Sequence, residues 1–167
     1  MVIVDKKYKS IVKSILRDNN FKKTYNIEHH GISRMEHSLK VSYYAYKIAK
    51  KFNLNYVAVA RGGLLHDFYL DGDERNKANR FLDTFRHPKK ALDTSSKLFN
   101  INDIEKNIIV SHMFPIYYKL PRYPESIVVN IVDKVIGGGE MLISLKYKLK
   151  YRFNYLFVVT LLFFFNN

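Results

Sequence analysis

Asp133 is the first residue of this 167-residue sequence that asks for a chemical explanation. It sits within IVVNIVDKVI, flanked by Val129, Ile131, Val132, Val135 and Ile136. A carboxylate among such neighbours is costly to bury unless it is paired or holds a cation. His66-Asp67 end a second apolar run, YVAVARGGLLHDF, where the same cost applies. His37 lies one helical turn before Val41, on the face continued by Ala45, Ile48, Ala49 and Phe52. Two imidazoles and two carboxylates on three apolar helices can converge on one divalent ion. Each also has an ordinary explanation: a hydrogen-bonded core histidine, an Asp133 paired with Lys134 or Arg61, or a His66-Asp67 helix cap whose imidazole suits the dipole. A metal site accounts for all four together.

The elements that carry these residues can be read from periodicity and caps. Residues 5–18 place Tyr8, Ile11, Val12, Ile15 and Leu16 at helical spacing, and a polar, irregular stretch is expected up to Ile32. Ser33-Arg-Met-Glu36 matches a capping box and opens the helix of His37. Asn55 is a good N-cap for the helix that ends at the doublet, and its nearly all-round apolarity predicts a central, buried position. Residues 69–86 hold no clean period and read as loop or short helix. His87-Pro88 reads as a helix start, since proline is tolerated in a first turn, with the helix running to about Phe99. Asn102 or Asp103 caps a helix reaching His112, a proline-containing loop follows, and Pro124 opens a helix expected to stop at Gly137-Gly138-Gly139.

About six helices with short connections and no βαβ alternation predict an all-α, single-domain bundle. Its expected parts are an N-terminal helix and connector (1–32), a metal-binding core (33–139) and a basic, apolar C-terminal segment packed on that core (140–167). Within the last part SLKYKLKYRFNY alternates as a strand does, and LFVVTLLFFF is about half of what a bilayer-spanning helix needs. The reading is a final packed helix or strand. A membrane-surface anchor through Lys146, Lys148, Lys150 and Arg152 is the alternative.

Composition narrows the partners. There is no cysteine, which excludes a disulfide framework and a thiolate metal site. The net charge of +13 attracts polyanions, so a phosphorylated small molecule, nucleic acid or an anionic membrane face are the candidates. Lysines are spread through most segments, which fits a solvated surface better than one nucleic-acid-binding block. The first residues lack a secretory apolar run, so a cytoplasmic protein is expected.

The order His37, His66-Asp67, Asp133 resembles the H…HD…D signature of the HD-domain phosphohydrolase superfamily over roughly residues 33–136. The contexts RMEHSLKVS and AxxGGLLHDF and the late helical aspartate followed by Lys134 agree. The resemblance implies a helical bundle in which these four residues bind a first metal. It further implies that Asp67 bridges to a second ion held by His87 and His112, unless these two bind substrate phosphate. His87 as an N-cap and His112 as a surface helix end are the plain alternatives. After the doublet this chain has Phe68-Tyr69 where HDIG proteins have Ile-Gly. His112 is followed by Met113, and the GYP motif is absent, which departs from the HD-type phosphodiesterases of cyclic di-GMP. The histidine pattern is closer to that of small bacterial HD hydrolases, including those acting on diadenosine tetraphosphate. His29 and His30 fall outside the pattern, in an expected exposed loop.

Imidazole and carboxylate ligands without sulfur suit Mn, Fe, Co, Ni or Zn. The expected activity is hydrolysis of a phosphate ester or anhydride of a nucleotide-like substrate by metal-activated water, with His66 and Asp67 at the catalytic centre. Arg86, Lys89, Lys90 and Lys134 adjoin site residues and are candidate phosphate binders. Two rivals stand beside this reading: a regulatory HD-type module that binds a nucleotide with little turnover, and a basic helical protein for nucleic acid or membrane surfaces. In the metal-free state Asp133→Ala is expected to be mild, as removal of an unpaired buried charge.

Overall fold

Helix starts are closed by the side chains whose chemistry suits them. In the computed structural model, which describes residues 4–29, 31–70 and 79–165, Asp5 accepts from the Tyr8 amide at 2.9 Å and opens α1 (Lys6–Arg17). The expected face of α1 buries Tyr8, Val12 and Ile15. The stretch up to Ile32 is more ordered than expected. Asp18 accepts from the amides of Asn20 and Phe21 and starts α2 (Asn19–Lys23), followed by a 3-10 turn (Thr24–Asn26). A two-stranded antiparallel ribbon then pairs β1 (Glu28–His29) with β2 (Ile32–Ser33). Gly31 supplies the positive φ of 91° at its turn. The single apolar residue of α2, Phe21, is too little for periodicity to reveal.

Ser33 accepts from the Glu36 amide at 3.1 Å and opens α3 (Arg34–Lys51). Only half of the expected capping box forms, because the Glu36 carboxylate turns to Lys40 at 3.4 Å. Asn55 caps α4 (Tyr56–Leu65) through the Ala58 amide. Helix α4 is central as expected, with Ala58, Val59, Ala60, Gly62, Gly63, Leu64 and Leu65 buried. A full capping box between Asn102 and Glu105 opens α6 (Asp103–Ser111). Helices α3 and α7 (Pro124–Phe165) pack together, and α4 lies against α1, α3 and α6. The result is an all-α architecture.

Two helices extend beyond their expected limits. Helix α5 (Asn79–Leu98) is already under way at His87, so Pro88 lies inside it instead of in its first turn. Proline removes one i→i−4 bond and costs about 3 kcal/mol in a helix interior. The helix continues nonetheless, carrying buried His87, Pro88 and Ala91. Helix α7 (Pro124–Phe165) runs 42 residues, straight through Gly137-Gly138-Gly139 and through the segment that alternates like a strand. A helical glycine costs only about 1 kcal/mol against alanine, and propagation is cooperative once a helix is nucleated. Beyond the glycines, Glu140 holds the helix to α3. Past it the packed segment expected from the sequence is instead a largely exposed helix: Leu142 is 66% and Tyr151 75% exposed. Among the described residues no helix is long and apolar enough to cross a membrane.

The crossing of α3 and α4 sets the position of their histidines. A Cβ at Gly63 would lie 3.1 Å from the Ser42 Cα, that is, against backbone. Ser42 binds the same seam, donating to the Ala60 carbonyl at 2.6 Å and accepting from the Tyr8 hydroxyl at 2.7 Å. Gly63→Ala should therefore destabilise the fold by about 1–3 kcal/mol through overpacking. Gly138→Ala, with nothing within 4 Å of its Cβ, should stabilise it by roughly 0.5–1 kcal/mol. Urea unfolding of the two variants checks this contrast of sign.

Candidate metal centre

Each candidate ligand arrives on its own element. His37 stands at the start of α3, one turn after Arg34. His66 is the C-cap of α4 with Asp67 next to it, His87 is within α5, His112 is the C-cap of α6, and Asp133 is on α7. All four histidines and Asp67 are buried, and the Asp133 side chain is 12% exposed.

These six residues meet as two adjoining groups. In the first, His37 Nε2 lies 3.0 Å from Asp133 Oδ1, and His66 Nε2 lies 3.4 Å from the same oxygen. In the second, the Nε2 atoms of His87 and His112 are 2.9 Å apart, and each is 3.4 Å from Asp67 Oδ1. The other Asp67 oxygen, Oδ2, lies 3.7 Å from His66 Nε2. Asp67 thus turns one oxygen to each group. Donors bound to one ion at about 2.1 Å stand roughly 3.0–3.4 Å apart, which matches most of these separations.

The rear nitrogens fix the direction of the rings. His66 Nδ1–H donates to the Gly63 carbonyl at 2.8 Å, and His112 Nδ1–H donates to the Ile109 carbonyl at 2.7 Å. His37 Nδ1 is 2.7 Å from Glu140 Oε2. A histidine whose Nδ1 donates backwards presents its Nε2 lone pair forwards, as a ligating imidazole does. His66 Nε2 is fully buried and makes no hydrogen bond among the described residues. That orphaned nitrogen, facing two carboxylates, fits a divalent cation. The sets His37, His66, Asp133 and His66, Asp67, His112 each bring three donor atoms close enough for one ion, and they share His66.

Electrostatics point the same way. Burial opposes charge on His37, but hydrogen bonds to Asp133 and Glu140 outweigh it and push its pKa up to about 10. His66 is also raised, the negative charges of Asp67 and Asp133 overcoming burial. Burial likewise opposes the ionised form of Asp133, yet the neighbouring imidazoles of His37 and His66 hold its carboxyl well below the usual range. The raised imidazoles and the lowered carboxyl are the two sides of one attraction across the pocket.

Among the basic residues expected to bind phosphate, Lys134 is engaged by backbone. Lys134 Nζ donates to the His112 carbonyl at 3.1 Å, so it caps the end of α6 instead of standing free for substrate. Burial depresses its pKa. Arg86 and Lys89 are exposed. Lys90 lies 5.8 Å over the Tyr69 ring, which in turn is nearly parallel to His87 at 5.8 Å. Arg61, considered as a partner for Asp133, pairs with Glu105 at 2.5 Å. The side chain of His29 and all of His30 lie outside the described residues.

Three contributors are absent from the sequence reading. Glu140 was hidden behind the glycine run, although it stands seven residues from Asp133 and so on the same helical face. Asn130, a lone amide on that face, donates to the carbonyls of Ser111, His112 and Phe114 at 3.2, 2.6 and 2.9 Å and locks the turn after His112. Buried Arg34 donates to the Tyr69 carbonyl and hydroxyl, both at 2.9 Å, and places that ring. Of the three, Asn130 alone carried a signal, as a polar residue within the apolar run IVVNIV.

Comparison with known proteins agrees with this geometry. The family model of the HD domain matches residues 34–137, more than half of the chain. No curated protein and no solved structure matches it. The match runs from the turn before His37 to the glycines after Asp133 and takes in all six clustered residues. The chain therefore belongs to the HD-domain superfamily of metal-dependent phosphohydrolases.

Proposed function

We propose that this protein is a metal-dependent phosphohydrolase acting on a phosphate ester or anhydride of a nucleotide-like substrate. The observation that carries the reading is the division of Asp67 between two groups of inward-facing imidazoles, at 3.4 Å on one side and 3.7 Å on the other. His37, His66, Asp67 and Asp133 would hold one ion. Asp67, His87 and His112 would hold a second. The nitrogen and oxygen donor set suits Mn, Fe, Co, Ni or Zn.

A bound divalent ion supplies Lewis acidity toward a phosphoryl oxygen and makes water a competent nucleophile at neutral pH. The chain's own residues do the positioning. Gly63 and Ile109 carbonyls fix two of the three rings that face Asp67, those of His66 and His112. Asn130 and Lys134 hold the backbone at His112 so that its imidazole cannot swing away. Asp67, touching both groups, is the carboxylate best placed to orient a water between them. Tyr69 and Lys90 form an aromatic and cationic margin beside His87, and the net charge of +13 favours an anionic substrate.

The test is a phosphoester and phosphoanhydride screen with each candidate ion, on protein whose metal content is measured first. Bound transition metal and ion-dependent release of phosphate or nucleotide are expected. Tight nucleotide binding without turnover under every ion would replace hydrolysis with the regulatory alternative.

A further inference from the structure

We propose that Glu140 is a positioning residue for the metal centre, acting through His37. This inference rests on the metal-dependent reading above. His66 and His112 brace their rings on carbonyls of their own helices. His37 is braced differently, by a carboxylate from another helix: Glu140 Oε2 lies 2.7 Å from Nδ1, while Asp133 Oδ1 lies 3.0 Å from Nε2. Helix α7 therefore grips one imidazole from both sides with residues two turns apart. The grip requires the helix to continue through Gly137-Gly138-Gly139, as it does.

Glu140 is itself held for this task. It is 8% exposed, and its second oxygen, Oε1, accepts from Lys40 Nζ at 3.1 Å, one turn beyond His37 on α3. Burial opposes its charge, but His37 and Lys40 keep its carboxyl below the ordinary glutamate range. Glu140 sits on the ring nitrogen opposite to Asp133, behind the imidazole, so it is no ligand. A carboxylate behind a ligating histidine fixes the tautomer, aims the lone pair and raises the basicity of the forward nitrogen. The Glu140–Lys40 pair further ties that orientation to α3, so the ring follows its own helix.

The experiment titrates metal-free full-length protein with Co²⁺. The visible ligand-field band and calorimetric affinity are read for wild type, Glu140→Gln and Glu140→Ala, and circular dichroism and melting are recorded without metal. Glu140→Ala should bind Co²⁺ about 10–100-fold more weakly, with an altered band. Glu140→Gln keeps an acceptor for Nδ1–H but loses the charge, and should fall between wild type and alanine. An alanine variant that fails to fold leaves the glutamine variant as the deciding measurement. Co²⁺ affinity and band within twofold of wild type in both folded variants would overturn the proposal, even if melting falls, because that is what a merely structural contact predicts. A wild type that binds no Co²⁺ would overturn the metal-dependent reading itself.

Discussion

Asp67→Ala should abolish phosphoester hydrolysis, lowering kcat/KM at least about a thousandfold, equivalent to roughly 4 kcal/mol of transition-state stabilisation. The size follows from its position. Asp67 Oδ1 is 3.4 Å from both His87 and His112, and Oδ2 is 3.7 Å from His66. No other carboxylate among the described residues faces both groups of imidazoles. Alanine removes a donor from each at once, whereas loss of His37, His87 or His112 spares the other group. The variant should also lose bound metal, with its helical circular dichroism retained because α4 ends before the doublet. Unchanged metal content and turnover would falsify the assignment of Asp67.

The second large effect belongs to Asp133→Ala, and here the structure reverses the sequence-based expectation of a mild change in the metal-free state. Asp133 is not unpaired: it bonds His37 at 3.0 Å and faces His66 at 3.4 Å. Its loss leaves the buried Nε2 atoms of His37 and His66 without the carboxylate they face, although Glu140 still pairs with His37 Nδ1, and stranding such buried polar groups costs about 3 kcal/mol. The alanine variant should thus be destabilised by about that amount without metal, and should bind metal at least about 10-fold more weakly. Chemical unfolding in the presence of a chelator reads the first effect, and metal titration the second. Metal-free stability equal to wild type would show that the His37–Asp133 contact contributes nothing to the fold.

Legibility in the sequence followed cost. His37, His66, Asp67 and Asp133 stood out because a polar group in an apolar, periodic context must be satisfied, and the structure gathers all four. His112 was visible for its place at the end of a capped helix. His87 was found as a residue but placed wrongly in its helix, because proline usually marks a first turn and here does not. Glu140 was lost to a local rule as well. Three glycines normally end a helix; here propagation from the turns before them and the tertiary bond from Glu140 to His37 carry it on. Partner choice was the least legible. Lys134 and Arg61 were both chemically able to pair with Asp133, but one reaches the His112 carbonyl and the other Glu105. Such choices depend on which helix end lies nearby, and that is fixed by packing, not by neighbours in the chain. The basic, apolar tail looked strand-like for the same reason, since alternation is a weak signal beside a helix already propagating.

The backbone contact at Gly63 has a consequence for how this protein can drift. Main chain lies against main chain where α3 and α4 cross, so the gap between the imidazoles of positions 37 and 66 is not a function of how large the surrounding apolar side chains are. Repainting the interior with slightly smaller or larger hydrocarbons would change how hard the molecule is to melt while leaving the spacing of its donors alone. Robustness and chemistry are therefore separable traits in this scaffold, joined tightly at one glycine.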